Sequence, residues 1–256
     1  GRLDLYTKVG EKSTLSAAEQ SEWDNVKNRF EKVCKTAHEK DVALLIDAEE
    51  SWIQPIMDKL MLDMMRKFNK DRAVVYNTFQ MYRHDRLAFL HSEYQKALQA
   101  GVKYGVKLVR GAYMEKENKR AEEFGYPTPI CASKQATDDN YNAAVDYMMQ
   151  HIDKMAIFAG THNEESSYLL MDLIAKSGLD KNDKRLWFGQ LYGMSDNISF
   201  NLASNNYNTF KILPFGSVKN LMPYLIRRAE ENTSVQGQTG RELQLIIKER
   251  KRRSLL

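Results

Sequence analysis

Short apolar runs alternate along this sequence with longer segments whose apolar residues recur at helical spacing. The runs lack the every-second-residue polarity of a half-exposed strand, which indicates strands that are buried on both faces. Such strands occur in parallel sheets covered by helices. The sequence therefore predicts an α/β fold with six strands, at residues 43–46, 73–76, 106–109, 155–158, 186–188 and 211–213.

The helices are predicted from apolar spacing and from their terminal residues. After an initial loop, Ser16 and Glu19 form a capping-box pattern at the start of the first helix, and Gly178 is placed to stop a later one. A Met-rich apolar face between residues 52 and 68 is interpreted as core. Further helices are predicted near residues 85–101, 138–153, 164–177, 217–231 and 238–252.

The residues that follow each strand distinguish a barrel from a doubly wound sheet. The strands end in DAEE, NTFQMY, RGAY, GTHN, GQLYGM and PFG, so polar and aromatic residues collect at every carboxyl end. A β/α barrel gathers those ends around one active-site opening. A doubly wound nucleotide fold places a glycine-rich turn after its first strand, and neither GxGxxG nor GxxxxGK[ST] occurs. We therefore predict one barrel domain over residues 1–256.

Composition limits the classes of partner. With 256 residues, 43% of them hydrophobic, the chain can bury one sizeable core. A net charge of +4, from 38 basic and 34 acidic residues, is too balanced to indicate nucleic acid. The basic run KERKRR at 248–253 suits a solvated helix end or an anionic membrane surface. Cys34 and Cys131 are interpreted as reduced thiols, and no apolar stretch is long enough to span a bilayer.

Arg227 and Arg228 are adjacent on a predicted amphipathic helix. Two neighbouring guanidinium groups can hold one carboxylate with a forked geometry that lysine lacks. The alternative is a solvated arginine pair satisfied by Glu230 and Glu231.

Two other strand ends carry candidate groups. Asp47 and Glu49 could bind a metal, act as acid and base, orient the arginines, or cap a helix. Thr161, His162 and Asn163 follow the fourth strand. No second histidine lies at metal-ligand spacing, which favours hydrogen bonding toward a cofactor.

Lys107, Arg110 and Tyr113 place two cations and a phenol at the end of the third strand, where they suit a phosphate or an electron-rich ring. The residues alone thus predict a β/α-barrel enzyme with a cationic opening and a small anionic substrate. Two alternatives remain. One is a metal-dependent barrel hydrolase built on Asp47, Glu49 and His162, and the other is a non-catalytic barrel fragment.

Six segments in order resemble the proline dehydrogenase family, most closely its single-function, eukaryotic-type members: LLIDAEESWIQP, RKFNK with VYNTFQMY, KLVRGAYMEKE, GTHNEES, FGQLYGMSDNISF and PYLIRRAEENTS. The resemblance covers residues 42–253. It implies a distorted (β/α)8 barrel that binds FAD, with no metal, at the carboxyl ends of its strands. It also implies oxidation of L-proline to Δ1-pyrroline-5-carboxylate, with electrons passed to a quinone. The expected location is the cytoplasm with peripheral membrane contact in a bacterium, or the mitochondrial inner membrane or matrix in a eukaryote.

The resemblance also implies roles for individual residues. On the substrate side, Arg227 and Arg228 match the pair that holds the carboxylate, Asp47 supports that pair, and Tyr113 and Leu191 match residues that pack against the substrate ring. The residues that match FAD-contacting positions are Gln80, Lys107, Arg110, Thr161, His162, Asn163, Gln190 and Glu231.

The chain departs from the family pattern in two places. It has no counterpart of the first two barrel strands or of the lysine on the second, so we expect six of the eight strands. Proline enzymes of the family usually have tyrosine where this chain has Ile212, and the related hydroxyproline dehydrogenases have a smaller residue there. The resemblance therefore leaves 4-hydroxyproline as an alternative substrate.

Overall fold

A curled sheet of six parallel strands organises the chain. We describe it from a computed structural model that covers residues 3–48, 50–234 and 238–253; the side chains of residues 3, 227, 230–234 and 238–242 are not described. The strands are β1 (Leu44–Ile46), β2 (Val75–Gln80), β3 (Tyr104–Val109), β4 (Met155–Gly160), β5 (Leu186–Leu191) and β6 (Thr209–Ile212).

Helices connect the strands and cover the sheet. They are α1 (Leu3–Gly10), α2 (Ala17–Glu39), α3 (Gln54–Phe68), α4 (Arg86–Gln99), α5 (Met114–Phe124), α6 (Lys134–Gln150), α7 (Glu164–Lys176), α8 (Asp196–Ser204), α9 (Val218–Ser234) and α10 (Gln238–Arg252). Within the described residues, no helix combines the length and apolarity needed to cross a membrane.

The strand order establishes the architecture. Spatial order follows chain order from β1 to β6, and every neighbouring pair is parallel. A doubly wound sheet would reverse its strand order at a switch point, whereas a β/α barrel adds each strand beside the last. The prediction of six strands of a β/α barrel is therefore confirmed, in the form of a curled half-barrel.

The core lies between the sheet and the helices. Every residue of β2 is buried, as are all but the last residues of β3 and β4. On α3, Met61 and Met65 are fully buried, which confirms the interpretation of the Met-rich face as core. Burial on both faces explains why these strands carry no alternating polarity in the sequence.

The predicted helix signals are present. The Ser16 hydroxyl accepts from the Glu19 N–H, and the Glu19 carboxylate accepts from the Ser16 N–H at 2.9 Å. Gly178, with φ of +65°, stands just after the end of α7, where a left-handed backbone favours glycine. The two cysteines are free, and burial raises the pKa of the Cys34 thiol to about 11.

Three helices differ from the prediction. The segment before Ser16 is not a loop throughout, because α1 forms there and buries Leu5. Neither α5 nor α8 was predicted. In α5 only Glu117 and Ala121 are buried, so that highly charged helix has no apolar face for the sequence pattern to reveal.

Three strands extend further than predicted at their carboxyl ends. β2 runs to Gln80, β4 to Gly160 and β5 to Leu191, while the predicted strands ended at residues 76, 158 and 188. In β2 the prediction ended the strand before its first polar residue. However, Asn77 and Thr78 lie inside β2 and are buried, since hydrogen bonds satisfy their polar groups within the sheet.

Candidate active site

The carboxyl ends of the strands form one edge of the sheet, called here the mouth. Because all six strands are parallel, their carboxyl ends meet at this edge. The structure places at it the predicted residues Asp47 after β1, Gln80 on β2, Lys107 and Arg110 at β3, Thr161, His162 and Asn163 after β4, Gln190 and Leu191 on β5, and Ile212 on β6.

Asp47 and Lys107 form an ion pair across three neighbouring strands. The Lys107 Nζ lies 2.8 and 2.9 Å from the two Asp47 carboxylate oxygens, and Thr78 donates to the same carboxylate at 2.7 Å. Only 7% of the Lys107 side chain is exposed, against 55% for Asp47. The ammonium is thus buried behind the carboxylate, and the exposed part of that carboxylate remains accessible to another cation.

Arg110 is the centre of a second polar network. Its guanidinium donates to Asp138 at 2.6 Å, to Thr161 at 2.8 Å and to Ser166 at 2.9 Å, and it lies 4.5 Å from the centre of the Tyr141 ring. These contacts hold the guanidinium between β3, β4, α6 and α7.

The sequence did not reveal Asp138 as the partner of Arg110. Burial alone would raise the pKa of Asp138, but hydrogen bonds from Lys134 and Arg110 lower it below its ordinary value. Asp138 is therefore a stable anion that balances the charge of Arg110. Its position 28 residues away on α6 is a tertiary contact that sequence spacing does not contain.

The loop after β4 fixes its side chains through backbone contacts. The Thr161 hydroxyl accepts from the Asn163 N–H at 3.0 Å, and the Asn163 amide oxygen accepts from the Ser166 N–H at 3.0 Å. Asn163 is thus the N-cap of α7. Their hydrogen bonds already give both residues a role in the fold.

His162 is held as a neutral imidazole. Burial, together with the positive charges of Lys211 and Arg228, lowers its pKa to about 4. Its Nδ1 lies 2.9 Å from the Ser195 hydroxyl. Arg228, one of these two charges, has its guanidinium carbon 5.2 Å from the centre of the Tyr224 ring. The side chains of Arg227 and Glu231 lie outside the described residues.

The two predicted glutamines differ in how their amides are satisfied. Gln190 is buried, donates to the Thr161 carbonyl at 3.2 Å and accepts from Ser199 at 2.9 Å. Gln80 is also buried, and its nitrogen donates to Ala48 and Gln54. The Gln80 Oε1, in contrast, has no hydrogen-bond partner among the described residues.

The remaining predicted residues form apolar and aromatic parts of the mouth. Leu191 and Ile212 are register partners on β5 and β6, so their half-buried side chains lie side by side. Tyr113 is the half-buried N-cap of α5, with the Lys116 ammonium 5.3 Å from its ring centre.

Two structural residues near the mouth were not anticipated. Glu117, fully buried, accepts from the Ser51 N–H at 2.7 Å and from the Ser51 hydroxyl at 2.6 Å, and so fixes the loop after β1. Gly111 has φ of +127°, and a Cβ there would lie 2.5 Å from the Tyr82 ring. A glycine such as Gly111 at a strand end is a sequence signal of close contact with a neighbouring side chain. Glu117, in contrast, has the sequence context of a solvent-exposed charged residue on a helix.

No cluster of three or more His, Cys, Asp or Glu side chains in the described part of the chain is arranged to hold a metal ion. The predicted ligands of the metal-hydrolase alternative have other partners: Asp47 binds Lys107, and His162 contacts Ser195. Glu49 lies outside the described residues.

Comparison with known proteins adds evidence independent of the site geometry. A family model described as proline dehydrogenase matches residues 3–241. The carbapenem antibiotics biosynthesis protein CarD of Pectobacterium carotovorum subsp. carotovorum is 40% identical over 253 residues, which is 99% of this chain and 65% of that protein. Human proline dehydrogenase 1, mitochondrial, is 37% identical over 244 residues, covering 94% of this chain and 41% of the human protein.

Two further similarities concern substrate and fold. Hydroxyproline dehydrogenase of Xenopus laevis is 37% identical, with 94% of this chain and 53% of that protein covered. The chain thus spans less than two thirds of each of these three relatives. A crystal structure of proline utilization A from Bdellovibrio bacteriovorus, inactivated by N-propargylglycine, superposes with a TM-score of 0.77 at 27% identity, over 83% of this chain and 22% of that one. The chain therefore belongs to the proline dehydrogenase family.

Proposed function

We propose that the protein oxidises L-proline to Δ1-pyrroline-5-carboxylate with a bound FAD. Family membership supports the reaction class. The observation that carries the proposal is the arrangement of the mouth, where an exposed carboxylate on Asp47 is anchored by buried Lys107, and where the positive charge of Arg228 acts on His162. A small zwitterion presents the matching pair of charges.

The family implies a flavin, and the described residues fit one. A flavin ring carries an N–H donor as well as carbonyl acceptors, so the unpartnered buried oxygen of Gln80 and the cations Lys107 and Arg110 suit it. A bound flavin supplies the electron-accepting chemistry. We assign it to the residues that the resemblance matched, namely Gln80, Lys107, Arg110, Thr161, His162, Asn163, Gln190 and Glu231.

A second set of mouth residues holds and orients the substrate. Arg227 and Arg228 bind its carboxylate, and Asp47 supports that pair. Leu191, Ile212 and Tyr113 provide an apolar wall against the ring. Orientation of this kind brings the donor carbon against the acceptor and lowers the entropic part of the barrier. A neutral His162 adds hydrogen bonding without adding charge.

A second candidate substrate is trans-4-hydroxyproline. Ile212, the register partner of Leu191, is smaller than the tyrosine usual in proline enzymes, and a smaller residue there suits a substrate whose ring carries a substituent. A hydroxyproline dehydrogenase also stands among the relatives. We rank proline first because the matching family model is that of proline dehydrogenase and the human relative is named a proline dehydrogenase.

We propose a quinone as the electron acceptor, reached by peripheral contact with a membrane surface. The support is the exposed basic end of α10, where Arg250, Lys251, Arg252 and Arg253 are all solvent-accessible. The relatives leave two locations open, since the human protein is named mitochondrial and CarD comes from a bacterium. In a bacterium the protein would contact the cytoplasmic face of the membrane, and in a eukaryote it would contact the mitochondrial inner membrane.

The test uses the full-length protein. Its cofactor is extracted and separated by chromatography, and steady-state oxidation of proline and of trans-4-hydroxyproline is compared with an artificial electron acceptor. We expect FAD and a higher kcat/KM for proline. Recovery of FMN, or of no flavin after reconstitution, contradicts the proposal. Activity abolished by a chelator would favour the metal-hydrolase alternative, and flavin-free protein without activity would favour the non-catalytic fragment.

A further inference from the structure

A chain of buried polar side chains leads from the helix layer to the mouth. It begins at Arg86, which is almost fully buried between the rings of Phe79 and Phe89, with its guanidinium carbon 4.5 and 4.2 Å from their centres. Two of its nitrogens donate to the carboxylate of Asp58, at 2.9 and 3.1 Å. Asp58 is itself buried, so this forked ion pair is a rigid anchor.

The anchor determines which way the next amide faces. Asp58 accepts from the Gln54 nitrogen at 2.8 Å and from the Asn77 nitrogen at 2.7 Å. A carboxylate only accepts hydrogen bonds, so Gln54 must turn its NH₂ group toward Asp58. The oxygen of Gln54 is therefore directed away from Asp58, and it accepts from the nitrogen of Gln80 at 3.0 Å.

The same logic carries over to Gln80. Its nitrogen faces the Gln54 oxygen and the carbonyl oxygens of Ala48 and Thr78, all of which are acceptors. The opposite orientation of the amide would set oxygen against oxygen. The polarity of Gln80 is thus decided by its surroundings, and its Oε1 is left buried with no partner among the described residues. A buried acceptor without a donor is costly, which indicates that a ligand supplies one.

We propose that Gln54 is a positioning residue for the cofactor site: it orients Gln80 so that a carbonyl oxygen, rather than an amide N–H, faces the flavin. The ligand group recognised there is a hydrogen-bond donor such as the ring N–H of the isoalloxazine. This inference rests on the proposed function and adds to it a residue of α3 that does not belong to the set of mouth residues.

The test is a double-mutant cycle in the full-length protein, with FAD affinity and the visible spectrum of the bound flavin as measurements. Gln54→Met and Gln80→Met each replace an amide by an apolar side chain of similar length. We expect each to weaken FAD binding about fivefold, the effect of one neutral hydrogen bond, and to shift the flavin absorbance bands. In the Gln80→Met background, Gln54→Met should have no further effect, because Gln54 acts through Gln80.

A matched control separates positioning from general stability. Asn77 also donates to Asp58 but has no part in the contacts that orient the Gln80 amide. Asn77→Leu therefore removes a hydrogen bond to the same carboxylate without disturbing the contact between Gln54 and Gln80. It should lower the thermal midpoint while leaving FAD affinity and spectrum unchanged. Gln54→Glu is a second variant if Gln54→Met fails to fold. Beside Asp58 the new carboxyl is expected to be protonated, so that it donates to Asp58, accepts from Gln80 and retains wild-type affinity.

The outcomes distinguish this inference from the proposed function. A wild-type protein that takes up no flavin contradicts both. If the wild type binds FAD and Gln80→Met weakens binding, but Gln54→Met adds an equal loss in that background, only the positioning role is overturned. Wild-type affinity and spectrum in Gln54→Met would also overturn it, as would weakened FAD binding in Gln54→Glu.

Discussion

The ion pair between Asp47 and Lys107 should respond very differently to removal of its two members. The Lys107 side chain is 7% exposed and that of Asp47 is 55% exposed. Asp47→Ala leaves a buried ammonium without its counter-ion. We expect this to lower the free energy of unfolding by about 3 kcal/mol, at the lower end for a broken buried pair because water can enter where the carboxylate stood. For a domain of this size, that is a thermal midpoint about 6–12 °C lower.

Lys107→Met should be much milder. The apolar stem remains packed, the buried charge is gone, and Asp47 is left hydrated with Thr78 as a donor, so a cost of about 1 kcal/mol or less is expected. The double variant should be about as stable as Lys107→Met alone. The matched control is Asp172→Ala, since Asp172 is also 55% exposed but pairs with Lys176, which is 71% exposed. A cost below about 0.5 kcal/mol is expected there.

The assay is thermal and denaturant unfolding of the flavin-free full-length protein at neutral pH. Flavin is removed because bound ligand would stabilise each variant according to its own affinity. Equal losses for Asp47→Ala and Lys107→Met would refute the argument from unequal burial. A loss in Asp172→Ala as large as that in Asp47→Ala would refute it as well, because the buried lysine would then make no difference.

Three further changes are expected to have measurable effects. Gly189→Ala should prevent folding or lower the thermal midpoint severely, because a Cβ there would lie 2.2 Å from the Phe158 ring, whereas Gly178→Ala meets no neighbour and should cost only about 1 kcal/mol for its positive φ. His162 has a folded pKa of about 4, below its ordinary 6.5, so the unfolded state binds its proton first. Stability should therefore fall as pH drops from 6.5 toward 4, by about 3 kcal/mol for this group, and His162→Gln should remove that part of the pH profile. Arg228→Lys should lower kcat/KM for proline about 10- to 150-fold with flavin still bound.

Each of these has a clear contrary result. Equal melting temperatures for the two glycine variants would contradict the close approach at Gly189. A pH profile of stability unchanged by His162→Gln would contradict the neutral buried imidazole. Wild-type kcat/KM in Arg228→Lys would contradict the carboxylate clamp.

The order of strands and the positions of most helices were predictable because each depends on residues close together in the chain. Each of β1 to β6 contains or overlaps a short apolar run, and Ser16 and Glu19 mark the start of α2. Where polar residues are buried inside a strand, as Thr78 is in β2, the local pattern ends the strand too early. Only the neighbouring strands supply the reason that such a residue can be buried.

Local sequence patterns could not predict which side chains pair with each other at the mouth. Asp47 and Lys107 were both candidates, but their pairing joins positions 60 residues apart. The resemblance to the family implied roles for the mouth residues but none for Gln54. The contact of Gln54 with Gln80 joins α3 to β2 across 26 positions of the sequence. Such contacts exist only once the strands have been set side by side.

The uneven pairing of the sheet has a consequence for how the protein opens on the timescale of amide hydrogen exchange. β3 pairs with β2 and with β4 over five residues each, and β4 pairs with β5 over four more. Within the described part of the chain, the amides of β3 and β4 should therefore exchange last. Most of the groups proposed to hold the cofactor lie on these two strands or directly after them, as Lys107, Arg110 and Thr161 do. The cofactor side of the mouth should thus keep its shape while less protected parts of the chain open and close.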